Sequence, residues 1–221
     1  MEVQNLAWNE NQGIRGLIMG NSGCGKTTLL INLLQRPGWL DYNNINIFGK
    51  SPFQPEYHIL KKAFEEKLRK EVIIILFENQ NEIIDLGISP IANVEEMAKE
   101  ITDKSDVECN FYQSADDVHD PRDISSEKKN LMVFDDLLLK NKTHVNHIMS
   151  EDDTSTSIVY IKLPRHTIWE NANFICLFPQ DPKNLKHIFE DHVGSDMTKE
   201  EVKKLCKAAR EKQHGFCNYW S

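Results

Sequence analysis

Residues 20 to 27 read Gly-Asn-Ser-Gly-Cys-Gly-Lys-Thr, between the apolar run Ile14 to Met19 and the leucine- and isoleucine-rich stretch Thr27 to Leu34. The pattern G-x-x-x-x-G-K-[ST] is filled at every fixed position, and the flanks predict strand, loop and helix in that order. Glycines let such a loop curl until successive N–H groups point inward, and the helix behind adds the positive end of its dipole. The result is a cradle for phosphate oxygens. A glycine-rich turn that carries Lys-Thr by chance is the competing explanation, and the strand before it and the helix after it weigh against that.

The motif assigns a task to each residue. Gly20, Asn21, Ser22, Gly23, Cys24, Gly25, Lys26, Thr27 and Thr28 line the phosphates, Lys26 reaches the β- and γ-phosphates, and the Thr27 hydroxyl is a magnesium ligand. Cys24 reads as a small loop residue rather than a redox centre, because a thiol beside phosphate is not thereby a sensor.

A second pattern, Leu131-Met132-Val133-Phe134-Asp135-Asp136, is an apolar strand ending in two carboxylates. Alone this is a weak signal, since many strands end in an aspartate turn. Beside a complete phosphate loop it reads as a Walker B strand, with Asp135 holding magnesium and Asp136 orienting and deprotonating an attacking water. ATP is favoured over GTP. The nearest approach to a guanine-reading Asn-Lys-x-Asp, residues 141 to 144, carries His144 where the base-pairing aspartate belongs. The expected fold is α/β: a P-loop NTPase with a RecA/ASCE-like, mostly parallel sheet flanked by helices. The long interval between Lys26 and Asp135 leaves space for further βα units and suits an ATPase sheet with an inserted strand better than a compact nucleotide kinase.

Further along the chain, Ile45 to Phe48 alternates as a strand. Tyr57, Leu60, Phe64 and Leu68 recur at helical spacing and predict an amphipathic helix over 56–70 with a solvated charged face. Val72 to Phe77 is a continuous apolar run whose length does not separate buried strand from helix. Val94, Met97, Ala98 and Ile101 mark a helix started by Asn93, with Glu96 as its capping partner. Asn110 to Gln113, Ser157 to Ile161 and Phe174 to Phe178 read as strands, and an acidic loop covers 115–129. Asp181-Pro182 starts a helix bearing Leu185, Ile188 and Phe189. Thr198 and Glu201 form a capping box for the last helix.

At 221 residues the chain suits one domain over 1–221. A net charge of -8 excludes a generally basic surface, so any nucleic-acid contact must be local. The five cysteines are odd in number and include no CxxC pair, which fits reduced thiols better than a disulfide framework or a zinc ribbon. The N-terminus lacks a signal-like apolar core, and no apolar run approaches a membrane span. An intracellular location without membrane contact is expected. His144 and His147 share a helical spacing but have no ligand cluster beside them, and Glu151-Asp152-Asp153 reads as a solvated loop.

The chain resembles the FtsK/HerA-type genome-packaging ATPases of poxviruses, other large DNA viruses and Polinton or Maverick-type transposons. The likeness is carried by the glycine loop, by Ser51-Pro52-Phe53-Gln54-Pro55-Glu56-Tyr57 with Leu60, and by Val133-Phe134-Asp135-Asp136. Leu163-Pro164-Arg165, Asn171-Ala172-Asn173-Phe174 and the segment Asp196 to Glu201 with Leu205-Cys206 extend it. The resemblance implies a ring of subunits that hydrolyses ATP with magnesium to move double-stranded DNA. It also implies capsid or virion proteins as partners, and a place in the host cytoplasm or nucleus or in the virion.

Departures are equally specific. Met149-Ser150-Glu151-Asp152-Asp153 stands where relatives have a basic stretch, and no Ser-Gln sensor follows Ile158 to Ile161. Trp169 replaces an arginine, and the chain ends at Ser221 where relatives continue into an apolar strand. Arg165 is the remaining candidate to stabilise transition-state charge. These departures describe a partly degenerate copy. An ATP-binding remnant without motor activity and a nucleotide or metabolite kinase are the alternatives.

Overall fold

The computed structural model describes residues 13–35, 40, 42–49, 54–114, 117, 127–135, 156–161, 172–179, 185–186, 189–190, 198–210 and 217–220. The strands are β1 (Arg15–Met19), β2 (Asn44–Gly49), β3 (Glu108–Tyr112), β4 (Asn130–Asp135), β5 (Thr156–Ile161), β6 (Phe174–Leu177) and β7 (Cys217–Trp220). The helices are α1 (Lys26–Gln35), α2 (Pro55–Glu65), α3 (Lys70–Glu78), α4 (Gln80–Asp85), α5 (Pro90–Glu100) and α6 (Lys199–Arg210). Together the strands make one seven-stranded sheet in the order β3-β2-β4-β5-β1-β6-β7. All neighbours pair in parallel except β6 and β7.

Burial follows from that pairing. Strands of a parallel sheet are covered on both faces and therefore read as continuous apolar runs. Every residue of β4 and β6 is buried, and so are Gly16 to Met19 of β1. The edge strand β3 instead alternates between exposed and half-buried positions. Leu29, Leu30, Ile31, Leu33 and Leu34 of α1 pack into the core with Ile18, Ile45, Leu131 and Val159.

The sheet has one strand, β5, between β1 and β4, as expected for an ATPase-type sheet. The long interval between Lys26 and Asp135 does not supply it. That interval supplies β2, β3 and the helices α1 to α5, and β2 and β3 lie beyond β4, whereas the inserted strand follows Asp135 in sequence.

The helix expected over 56–70 ends at Glu65. Lys67 turns to a left-handed φ of 58°. The Lys67 N–H then donates to the Phe64 carbonyl and the Leu68 N–H to that of Ala63, both at 2.9 Å, a Schellman ending. Leu68 is still buried, so the apolar spacing outlasts the helix. Lys61 and Glu65 lie on its solvated face, both side chains more than half exposed.

The run from Val72 to Phe77 is helical. Ile73 and Leu76, three residues apart, are buried while Ile75 is 48% exposed, a one-sided pattern that a strand buried on both faces would not show. Helix α5 starts at Pro90 rather than at Asn93, with Ser89 at its cap position. Proline's fixed φ and missing N–H suit the first helical position, and Asn93 donates its N–H to the Ser89 carbonyl as an ordinary helical residue. The sequence pattern marks neither α4 nor β7. The capping box is present in full: Thr198 N–H donates to Glu201 Oε2 at 2.7 Å, and Glu201 N–H to Thr198 Oγ1 at 3.4 Å. The helix expected from Asp181 lies mostly outside the described residues, within which Leu185 is buried.

Among the described residues the cysteines Cys24, Cys109, Cys176 and Cys206 are free thiols, and no helix is long and apolar enough to cross a membrane.

Leu60 is fully buried in this core whereas Ile75 is 48% exposed. Leu60→Ala should therefore cost about 2–5 kcal/mol in urea unfolding, and Ile75→Ala roughly 0.5 kcal/mol or less.

Candidate functional site

Parallel register brings the carboxyl ends of four strands level. Gly49 pairs with Asp135, Asp135 with Ile161, and Ile161 with Ile18. The segments that leave β1, β2 and β4 thus depart from one edge of the sheet, where ligands of open α/β sheets bind.

The glycine loop leaves β1 at this edge. Gly23 and Gly25 have φ of 75° and 100°, conformations that favour glycine. Gly20 is constrained differently. A methyl group there would stand 2.4 Å from Cys24 Sγ and 2.7 Å from Phe178 Cβ, because the loop passes tightly over the end of β6. The Leu29 N–H donates to the Gly25 carbonyl at 2.9 Å and opens α1, whose first turn contains no acid to repel an anion.

Lys26 folds back over the loop. Its ammonium donates to the carbonyls of Gly20 at 3.0 Å and Asn21 at 2.7 Å. Those bonds brace the loop and hold the one positive side chain that lines the cleft among the described residues.

Opposite the loop stands the first turn of α2. Gln54 occupies the cap position and accepts a hydrogen bond from Thr27 Oγ1 at 3.2 Å. Tyr57 donates from its hydroxyl to Asp135 Oδ2 at 2.8 Å. Asp135, at the end of β4, is only 9% exposed. A carboxylate so buried needs strong hydrogen bonds to offset lost hydration, and the phenol supplies one. Burial pushes the Tyr57 phenol well above its ordinary range, and the Asp135 charge and the hydrogen bond to it push the same way, while a hydrogen bond with Thr27 pulls the other way. The phenol therefore stays protonated, and a donor, at neutral pH.

These parts enclose a cleft of about 340 Å³. Its lining comes from the loop and α1 (Gly20, Ser22, Gly23, Gly25, Lys26, Thr27, Thr28), from α2 and its cap (Gln54, Glu56) and from Asp135. Two loop residues expected at the phosphates are not in the lining. Asn21 lends its carbonyl to Lys26, and Cys24 packs against the hydrophobic core. Asp136 and Arg165 lie outside the described residues, as do His144, His147 and the run 151–153.

Sequence reasoning missed Gln54, Glu56 and Tyr57 as site residues. Glu56 and Tyr57 read as the start of an amphipathic helix, and Tyr57 does bury its ring, 1% exposed. The available signal was Gln54-Pro55-Glu56, polar side chains at a helix start just beyond a strand running parallel to the loop strand.

The donor set suits a hard cation. Thr27 brings a hydroxyl, Gln54 an amide oxygen, and Asp135 and Glu56 carboxylates, all oxygen ligands of the kind magnesium takes. Among the described residues no group of three or more His, Cys, Asp or Glu side chains forms a metal cluster. Magnesium commonly uses one or two carboxylates together with substrate phosphates rather than an all-protein cage.

No family model matches the chain, and no curated protein matches it. Two solved structures of the genome packaging NTPase B204 from Sulfolobus turreted icosahedral virus 2 are similar in fold. The complex with ATP-gammaS has 11% sequence identity and a TM-score of 0.46, and the complex with AMP 12% and 0.48. Each comparison covers 96% of this chain and 93% of that one. At this level of similarity neither bears on what the present chain binds.

Gly20→Ala should destabilise the protein by about 1–3 kcal/mol in urea unfolding, as overpacking does. Adding Cys24→Ala should recover only part of the loss, because Phe178 Cβ remains 2.7 Å away. Full recovery would mean that the thiol alone sets the constraint.

Proposed function

We propose that this chain binds ATP with magnesium in the cleft and hydrolyses it. The observation that carries the reading is the meeting of the glycine loop, with Lys26 and Thr27, and the buried Asp135 carboxylate in one cleft, although they are remote in sequence. Phosphate oxygens would replace the Gly20 and Asn21 carbonyls as partners of Lys26, whose ammonium has three donors to offer. Backbone N–H groups of 20–25, together with Thr28 and the α1 dipole, would hold the remaining charge.

Thr27 and Asp135 would hold magnesium, directly or through water. Bound there, the cation supplies neutralisation of the phosphate charge. In hydrolysis a water attacks the γ-phosphorus, the bond from that phosphorus to the bridging oxygen breaks, and ADP departs with that oxygen. Phosphate and a proton are the other products. Asp136 would orient and deprotonate the water, and Arg165 would stabilise charge in the transition state.

The sequence resemblance extends the proposal to the movement of double-stranded DNA by a ring of such subunits, with capsid or virion proteins as neighbours. A kinase acting on small nucleotides is disfavoured by β5 between β1 and β4. The remnant differs from the motor only in turnover, through the departures beyond Asp136.

A fluorescent ATP analogue titrated in magnesium should bind, and Lys26→Ala should weaken it by tenfold or more, since a hydrogen bond to a charged group contributes about 1.5–3 kcal/mol. Steady-state hydrolysis with and without double-stranded DNA follows. Turnover stimulated by DNA and abolished by Lys26→Ala and by Asp136→Asn supports the motor, and tight binding without turnover supports the remnant. Phosphoryl transfer to a nucleoside phosphate supports the kinase. Failure of the unmodified chain to bind overturns the reading.

A further inference from the structure

Gln54 and Tyr57 sit three residues apart at the start of α2, one at the cap position and one in the first turn, a spacing that puts two side chains on the same side of a helix. Both reach across the cleft, and the bond each makes there with a candidate metal ligand ends on a different element. Gln54 takes the Thr27 hydroxyl of α1, and Tyr57 gives to the Asp135 carboxylate of β4. From this geometry we infer that the first turn of α2 is a positioning clamp for the magnesium ligands, with Tyr57 orienting Asp135 and Gln54 orienting Thr27. The inference rests on the proposed Mg-ATP site and names residues of that site which the motif patterns do not.

The direction of each bond is what suits the task. A hydroxyl has one donor and two acceptor lone pairs. By giving its proton to Gln54 Oε1, Thr27 presents lone pairs elsewhere, which is how a hydroxyl must be turned to ligate a cation. An ionised carboxylate has two oxygens and about four acceptor sites, more than one phenol occupies. Tyr57 thus fixes the rotation of the Asp135 carboxylate without consuming its capacity to hold a cation or a cation-bound water. Outer partners that orient metal ligands in this way typically change metal affinity by about 10–100-fold when removed.

Packing alone does not account for the tyrosine. Its ring is buried and meets Phe111 edge to face, with centroids 6.3 Å apart, and a phenylalanine would keep that contact. The hydroxyl adds a polar atom to a buried place, a cost that needs a partner there. That partner is the Asp135 carboxylate at the end of β4. Pro55, directly after Gln54, fixes where α2 begins, and with it the point from which Gln54 reaches Thr27.

The test is the affinity of Mn2+, standing in for magnesium, for the full chain saturated with a non-hydrolysable ATP analogue, followed by electron paramagnetic resonance. Analogue affinity in EDTA and the thermal midpoint are measured alongside. Tyr57→Phe should weaken Mn2+ binding by roughly tenfold or more, and Gln54→Leu should weaken it in the same direction. Analogue affinity in EDTA should stay within twofold for Tyr57→Phe. A merely structural role would lower the midpoint and leave Mn2+ affinity untouched.

If the unmodified chain binds Mn2+ and analogue together while both variants hold Mn2+ as tightly or more tightly, the clamp is wrong and the nucleotide site stands. If the unmodified chain binds neither, the nucleotide reading fails and the clamp with it. Gln54→Leu alters a half-buried side chain at a helix cap, so it reports on the clamp even where Tyr57→Phe unfolds the core.

Discussion

Parallel pairing holds Gly49, Asp135, Ile161 and Ile18 in line across four strands, and the cleft depends on that alignment. A strand carries its side chains at fixed heights, so once the register is set the end of β4 must lie level with the start of the glycine loop. The inserted β5 sets their lateral separation, and α2, following β2, closes the opposite side. Slipping β4 by one residue would turn Asp135 to the other face of the sheet. Burial of every residue of β4 is what prevents the slip, since the same shift would disturb a whole row of core contacts.

Charge is arranged around this alignment with economy. A chain of net charge -8 gathers a lysine and a helix N-terminus at one point of its surface, and faces them with carboxylates. Buried alone, Asp135 would be costly. The Tyr57 phenol meets that cost in part while it stays a donor, and Lys26 satisfies itself on loop carbonyls that phosphate would replace. In the proposed complex a cation would lie between these opposed charges, in keeping with magnesium's preference for sharing its ligands between protein and nucleotide.

Much of this was legible in the sequence, for unequal reasons. The glycine loop declares itself because its chemistry needs fixed residues at fixed spacing, and Leu131 to Asp135 because strands buried on both faces must be apolar throughout. The α/β class and an inserted strand followed, although the interval from Lys26 to Asp135 proved to hold β2 and β3 beyond β4 rather than the strand beside β1. Helix ends were harder. Leu68 keeps the apolar spacing after the backbone has left the helix at Lys67, and Pro90 overrode the capping pair at Asn93 and Glu96. Gln54 offered only the signal of a polar residue at a helix start, and Tyr57 none, because its bond to Asp135 is a tertiary meeting that no local pattern encodes. Cys24 illustrates the reverse: it belongs to the motif, yet it packs against the core.

In the proposed complex the loop threonine and the β4 aspartate serve one metal–nucleotide site. Crystals grown with Mn2+ and a non-hydrolysable ATP analogue, measured at a wavelength where manganese scatters anomalously, would locate the ion directly. A single strong anomalous peak is expected beside Thr27 Oγ1, on the side facing Asp135, with the analogue's phosphates lying along residues 20–28. A nucleotide bound elsewhere, or an ion remote from both side chains, would contradict it.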